Sequence, residues 1–341
     1  MPNGCYEEWA LLAKVGQPVI DMLSLAARAP SGHNTQPWTI RFLTHDHWLL
    51  GIEPSRRLSG IDPTACQTLL SLGAFLENLI LAATHFGYAL EYAVIARSTA
   101  AQEIIDLRLH PVDPVQQYLE AIRLRRTLRN GYLPRELLAS DLSSILRHGE
   151  EFHYFPRGSA QANYLAQGTL EANRQQTLRT AAIQELANWI RWSPADRDRF
   201  RNGLTPASME IKGMGAWYVS HFFNRASVLS RSFQKSTEKQ LAERVAQGAG
   251  WLVVTSPDNN ISTLIETGRK VQRMWLLLGE KKIAVHPLMQ MLEEAPWSNS
   301  MARGLGLDGV AQFVLRIGYV DSYPKPASVR MPVAWFASQN S

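Results

Sequence analysis

The chain has 341 residues, enough to bury a substantial core as two ordinary domains or one large one. Its 45% hydrophobic and 19% charged residues, without a long low-complexity tract, exclude a disordered chain. The formal charge of +5 is dispersed and no nucleic-acid-binding motif is present, so we expect no nucleic-acid partner.

The start of the chain gives no signal for export. The run MPNGCYEEWALLAK lacks a basic leader followed by an apolar segment, so we expect a cytoplasmic protein. The two cysteines, Cys5 and Cys66, are far apart in sequence. They predict neither a disulfide framework nor a metal site.

A polar loop, ARAPSGHNTQPW at residues 27–38, follows an apolar helical segment. Ser31, Asn34 and Gln36 can donate and accept hydrogen bonds, and Gly32 allows a ligand to approach the backbone closely. This set suits a planar heteroaromatic ring. A helix end followed by an Asn-containing turn would use the same residues. The residues alone leave both interpretations open.

A long apolar helix and a strand follow. Leu69, Leu72, Gly73, Leu76 and Leu79 have helical spacing, the helix is predicted to end near Gly87, and the strand ALEYAVIA comes next. Glu77 and Asn78 interrupt the apolar run, so it predicts a buried helix. We therefore expect no membrane partner.

The turn-rich segment HPVDPVQQ predicts a domain boundary near residue 112, with domains at 1–112 and 113–341. The next helix carries Val115, Leu119 and Ile122 on one stripe and is predicted to run into RLRRTLR. Such closely spaced guanidinium groups and a hydroxyl can clamp a phosphate. A solvated, basic helix end is the alternative.

The second domain mixes helices and strands, so the fold class is α+β. AGWLVVTS, KKIAVHPL and AQFVLRIGYV are predicted strands, and a helix spans Leu264 to Leu278. This helix can be aligned with the earlier one, which places Gly73 on Gly268. That alignment indicates an internal duplication.

PSGHNTQPW resembles the nitroreductase-like flavoprotein family, whose Pro-Ser-x-x-Asn-x-Gln-Pro-Trp run lines flavin mononucleotide (FMN). RRTLR is similar to the family's phosphate-gripping Arg-x-Ser run, with a threonine in place of the serine. AVHPLMQML resembles the segment that presents backbone amides to the flavin, although Met289 departs from the acidic residue often found there. The tail resembles the family's ending, where a basic residue approaches the phosphate. The resemblance implies these cofactor-binding residues: Pro30, Ser31, Gly32, Asn34 and Gln36 from the loop; Arg125, Arg126, Thr127 and Arg129 from the basic run; Pro287, Leu288, Met289 and Gln290; and Arg330.

In this chain the loop precedes the arginine run. No arginine run precedes Pro30 in the first half, and the second half lacks the Asn-Gln-Pro-Trp pattern. That arrangement resembles the internally duplicated, Acg-like branch of the family. It implies two tandem nitroreductase-like halves, each a mixed sheet flanked by helices, that form an intramolecular pseudo-dimer able to exist as a monomer.

The resemblance implies an FMN-dependent oxidoreductase that passes hydride from NAD(P)H through FMN to a nitroaromatic, a quinone or a similar small acceptor. The alternative is a non-catalytic, FMN-sequestering protein of the Acg-like type. A lid would favour the latter, and the candidates are a helix pair at 170–201 and the segment NGLTPASMEIKGMGAWYVS. No catalytic acid or base is assigned, because a lone histidine such as His33 or His286 is more often structural.

Overall fold

The computed structural model describes residues 15–115 and 118–339, so Cys5 lies outside the described residues. The strands are β1 (Trp38–Phe42), β2 (His47–Ile52), β3 (Tyr88–Val94), β4 (Glu103–Pro111), β5 (Phe152–Pro156), β6 (Gly250–Ser256), β7 (Ile283–Pro287), β8 (Val310–Tyr319) and β9 (Ala337–Gln339). The helices are α1 (Gln17–Ala26), α2 (Cys66–His85), α3 (Leu119–Leu124), α4 (Ala139–Leu146), α5 (Ala160–Leu178), α6 (Thr180–Trp189), α7 (Pro194–Phe200), α8 (Gly213–Phe222), α9 (Arg225–Leu229), α10 (Arg231–Val245), α11 (Ile261–Glu280), α12 (Gln290–Glu293) and α13 (Trp297–Gly304). The mixture of sheets and helices agrees with the predicted fold class.

The strands form two sheets. The first has the order β3-β4-β2-β1-β9 and is antiparallel except where β1 pairs with β9 in parallel. The second has the order β5-β6-β8-β7 and is antiparallel throughout. Because β9 is the last strand of the chain, the C-terminal tail crosses back to the first sheet and brings residues 320–336 past the N-terminal loop.

Helices α2 and α11 cross at two glycines between the sheets. A Cβ atom on Gly73 would lie 2.1 Å from the carbonyl oxygen of Ile265, and one on Gly268 would lie 2.1 Å from that of Leu70. Only glycine permits backbones to approach this closely. The two glycines aligned from the sequence therefore meet, and an internal duplication remains our proposal for why they do.

The polar residues in the middle of α2 face partners on α11. The Glu77 carboxylate is buried and pairs with Arg269 at 3.1 Å and with Arg273. Asn78 Oδ1 accepts a hydrogen bond from Gln272 Nε2 at 2.8 Å. By length and composition α2 could cross a membrane, but most of it is buried inside the protein. The prediction of a buried helix is confirmed.

Two predicted helices have different bounds in the structure. Helix α3 ends at Leu124 because Arg125 adopts ψ 128°, so the arginine run is extended and does not form the last helical turn. The helix pair predicted at 170–201 is three helices, α5, α6 and α7. The breaks fall at Arg179 and Ile190, whose backbones are extended.

Candidate functional site

A cavity of about 370 Å³ lies between the two sheets, beside the crossing of α2 and α11. The predicted residues that line it are Pro30, Ser31, Gly32, Asn34, Arg125, Thr127, Arg129, Pro287, Leu288, Met289, Gln290 and Arg330. Twelve of the fourteen predicted residues thus face one cavity, and Gln36 and Arg126 do not. Its volume lies within the usual range of small-molecule sites.

The loop that follows α1 is a tight turn fixed by its own side chains. His33, Asn34 and Gln36 have φ values of 46°, 56° and 55°, in the left-handed region. Ser31 Oγ accepts a hydrogen bond from the Gln36 backbone N–H at 3.0 Å. Non-glycine residues occupy this region at a cost, so the surrounding contacts must hold the loop in place.

Gln36 provides part of that support from behind the loop. Its side chain is fully buried, its Nε2 donates to the carbonyl of Arg201 at 2.9 Å, and its Oε1 accepts from the Met331 N–H at 2.9 Å. The amide therefore connects the loop to the end of α7 and to the C-terminal tail. Gln36 therefore supports the loop and does not line the cavity.

Asn34 lines the cavity, but its side-chain amide is committed to protein partners. Its Nδ2 donates to the carbonyls of Gly203 at 3.0 Å and Val329 at 3.1 Å. Its Oδ1 accepts from Arg330 Nη1 at 3.0 Å. Contact of Asn34 with a flavin stays a prediction, and in this structure its amide orients the guanidinium group of Arg330.

Arg125 and Arg330 both face the cavity, and each has at least one guanidinium nitrogen without a hydrogen-bond partner. Arg125 Nη2 donates to the carbonyl of Arg28 at 2.8 Å, but its Nε and Nη1 have no hydrogen-bond partner. Arg330 Nη2 donates to the same carbonyl at 3.1 Å, and its Nε has no partner. Among the described residues, no carboxylate forms an ion pair with either group.

Burial and the positive charge of Arg28, opposed by Tyr323, together lower the pKa of Arg125 to about 10. Burial is also the main cause that lowers the pKa of Arg330 to about 9, and Arg28 contributes. The Arg125 charge also acts on Arg330. Two buried guanidinium groups without a counter-ion are unfavourable by themselves. An anion between them would accept the unpaired N–H groups through charge-assisted hydrogen bonds.

The other members of the basic run point in different directions. Arg129 faces the cavity, its Nη1 donates to the Ser208 carbonyl at 2.7 Å, and burial lowers its pKa to about 10. Arg126 turns away, donates to the Lys325 carbonyl at 2.6 Å and pairs with Glu210 at 3.5 Å. Arg126 therefore lies outside the cavity wall in this structure, and its contact with a cofactor stays a prediction.

The end of β7 forms another wall of the cavity. The Leu288 N–H donates to the Val314 carbonyl at 2.8 Å, so this amide is not available to a ligand. His286 Nδ1 lies 3.3 Å from Arg316 Nη2, and burial with three nearby arginines holds the pKa of His286 well below its usual range. Burial and Arg129 lower the pKa of His33 to about 4. Both histidines are thus neutral at neutral pH.

The sequence analysis missed Glu293, which also lines the cavity. Its carboxyl accepts hydrogen bonds from Gln67 Nε2 at 2.7 Å and Gln176 Nε2 at 2.5 Å. Burial raises the pKa of Glu293 to about 7, the two glutamines oppose this shift, and Glu294 and Asp62 add to it. The paired acids in the run MLEEAPW, directly after HPLMQ, were the available signal.

Helices α5 and α10 form another wall of the cavity. Asn173 and Gln176 of α5 line it, as do Leu241 and Arg244 of α10. The segment predicted as a lid contributes only its first part, with Leu204 and Ser208 in the wall. Its second part is α8, none of whose residues lines the cavity.

Comparison with known proteins shows the family to which the chain belongs. No family model matches the chain. The chain is 31% identical over 340 residues to "Putative NAD(P)H nitroreductase acg" of Mycobacterium tuberculosis, which covers 91% of this chain and 92% of that protein. It is 24% identical over 329 residues to "Probable NAD(P)H nitroreductase PigM" of Serratia sp., which covers 89% and 88%.

Among solved structures, the FMN-dependent nitroreductase NfnB from Mycobacterium smegmatis in complex with NADPH aligns with a TM-score of 0.36 at 14% identity, over 61% of this chain and 93% of that one. The chain belongs to the nitroreductase family. Of these two relatives, acg has the higher sequence identity to the chain and covers more of it.

Proposed function

We propose that this chain binds FMN in the cavity between its two sheets. The observation that carries the proposal is the pair of buried guanidinium groups, Arg125 and Arg330, with three nitrogen atoms that lack a partner. A phosphate monoester is a dianion with several acceptor oxygens, and planar guanidinium groups bind it through two parallel hydrogen bonds. The hydroxyl of Thr127 lies in the same wall.

The rest of the cavity suits a planar ring system. Gly32 and Ser31 form one side, and the β7 end, with Pro287 to Gln290, forms another. Trp275 and Val271 of α11 add apolar surface. Mostly apolar walls with a few fixed polar groups are typical of cofactor sites.

We propose that the protein is an NAD(P)H-dependent oxidoreductase that acts on a small acceptor such as a quinone or a nitroaromatic compound. When bound, FMN supplies the chemistry by accepting a hydride and passing it on. The residues of the chain bind the phosphate, fix the loop at 31–36 and exclude water with α5 and α10. The names of the two relatives support a nicotinamide donor. We also propose a cytoplasmic location.

One observation favours a second candidate, a protein that stores FMN without catalysis. Helices α5 and α10 contribute Asn173, Gln176, Leu241 and Arg244 to the cavity wall. In this candidate, the two helices would keep a nicotinamide from stacking on the bound flavin.

Anaerobic addition of NADH or NADPH to the FMN-loaded protein distinguishes the two candidates. An oxidoreductase is expected to lose its flavin absorbance within seconds and to regain it on addition of a quinone. Full FMN occupancy without bleaching by either nucleotide would contradict the oxidoreductase and favour storage. Free FMN with the same nucleotides is the control.

We further propose that the domains at 1–112 and 113–341 build one flavin site per chain. The loop at 30–38 comes from the first domain, whereas Arg125 and Arg330 come from the second. A symmetric homodimer repeats both sites, but one chain with two different halves does not have to. The molar ratio of released FMN to protein should be one, and light scattering should give the mass of a monomer. Two FMN per chain, or one per two chains, would contradict this division.

A further inference from the structure

Helix α8 exposes its large apolar side chains to solvent. None of its ten residues is buried, and the exposed fractions are 88% for Met214, 59% for Trp217, 53% for Tyr218 and 59% for Phe222. Their spacing of three, four and eight residues places them on one side of the helix. The ring centroids of Tyr218 and Phe222 are 5.0 Å apart, and those of Trp217 and Phe222 are 5.9 Å apart. These four side chains form one continuous surface, the α8 patch.

The helix is anchored to the protein by a different side chain. Phe223, directly after α8, packs against Trp192 with ring centroids 5.2 Å apart and against Phe233 at 6.1 Å. These rings belong to a small buried cluster within the inserted region. Val219 of α8 packs against the same cluster, and the Tyr218 ring lies 6.0 Å from that of Phe223. Met214, Trp217 and Phe222 are not members of the cluster. Exposed apolar surfaces of this kind mark interaction sites.

Cationic residues lie before and after α8 in the sequence. Residues 211–237 include Lys212, Arg225, Arg231 and Lys235 and contain no aspartate or glutamate. All four side chains are exposed, and among the described residues none of them forms an ion pair. The segment thus combines aromatic rings with four cations that no carboxylate neutralises.

We propose that the α8 patch docks on an anionic lipid surface. Tryptophan and tyrosine favour the boundary between headgroups and hydrocarbon, and lysine and arginine next to them attract anionic headgroups. The sequence predicts no membrane partner because its long apolar helix is interrupted by polar residues and does not form a clean membrane span. A helix that lies in the surface plane does not require such a segment.

Two other partners fit the patch less well. In a symmetric dimer built on α8, each patch would face its own copy, so the exposed cations at the two ends of the helix, Lys212 and Arg225, would approach those of the other copy. Single-stranded nucleic acid binds in grooves in which bases stack and phosphates follow a positive track. An isolated, projecting helix offers no such groove.

Co-flotation with lipid vesicles tests the proposal. The full chain is expected to bind phosphatidylglycerol vesicles at low salt, to bind phosphatidylcholine vesicles at least ten-fold less, and to be released as ionic strength rises. The double variant Trp217→Ser, Phe222→Ser should lose at least about ten-fold in binding. Lys212→Gln and Arg225→Gln should each reduce it about five-fold. Leu138→Ser, at a residue that is 59% exposed on α4's flank, is the matched control and should bind like the unmodified chain.

Thermal midpoints equal to that of the unmodified chain would show that the variants are folded. Absence of binding to anionic vesicles at low salt, or equal binding by the double variant, would overturn the proposal. A dimer in light scattering that the double substitution dissociates would assign the patch to a second copy. Stronger retention by single-stranded RNA than by vesicles would assign it to nucleic acid.

Discussion

Replacement of Arg125 and Arg330 together by alanine is expected to weaken FMN binding about 10²- to 10⁴-fold. Each charge-assisted hydrogen bond to phosphate contributes about 1.5–3 kcal/mol, so two contribute about 3–6 kcal/mol. Titration of FMN into the apoprotein, followed by quenching of flavin fluorescence, measures the change.

Riboflavin provides an internal test of this prediction because it has the same ring but no phosphate. The unmodified protein should prefer FMN to riboflavin, and the double variant should bind both equally weakly. Arg123→Ala is the matched control, because Arg123 lies on α3 two residues before Arg125 and its side chain is 54% exposed. If the double variant still preferred FMN to the same extent, the phosphate would have to bind elsewhere.

The loop could be predicted from the sequence because its signal is local. Helical periodicity aligns Gly73 with Gly268 but does not predict that the two glycines meet. The run from Pro30 to Trp38 keeps its residues together in space, since the turn is closed by contacts within it, such as that between Ser31 and Gln36. Gly73 and Gly268 each interrupt an apolar helical pattern at the same point. Each position requires glycine because the backbone of the other helix lies directly against it.

The direction of each arginine could not be predicted. Whether Arg125 or Arg126 faces the cavity depends on where α3 ends, and that end is set by one backbone torsion at Arg125. If α3 continued through the arginine run, Arg125 and Arg126 would both remain candidates for the cavity wall. Arg330 meets the loop only because β9 pairs with β1 and carries the tail across the molecule. This long-range pairing has no local sequence signal.

The environment of Glu293 depends on residues that are far apart in sequence. Gln67 precedes it by 226 positions and Gln176 by 117, and they reach it from α2 and α5. Two neutral amides, rather than a cation, therefore hold the carboxyl. The run MLEEAPW alone could indicate an ion pair at Glu293 equally well.

The pKa of Glu293 leads to a prediction about stability and pH. Burial raises this pKa from 4.5 to about 7, so the folded protein keeps a proton that the unfolded chain releases. Below about pH 4.5 both states are protonated, and the group does not affect the free energy of unfolding. As the pH rises from 4.5 to 7 the stability decreases, and above 7 the loss is complete. A pKa unit corresponds to about 1.4 kcal/mol, and solvent in the cavity reduces the effect, so we expect a loss of about 1–3 kcal/mol.

Glu293→Gln should remove this dependence. The variant is expected to be about 1–3 kcal/mol more stable than the unmodified apoprotein at pH 8 and equally stable at pH 4.5, as measured by urea unfolding across that range. Asp62 and Glu185, whose pKa values burial also raises, titrate in both proteins, so the difference between the two curves isolates Glu293. Glu280→Gln, at an exposed position at the end of α11, should leave the curve unchanged. A variant less stable than the unmodified protein at pH 8 would mean that the ionised carboxylate is favoured in this cavity, as a carboxylate bound by a cation would be.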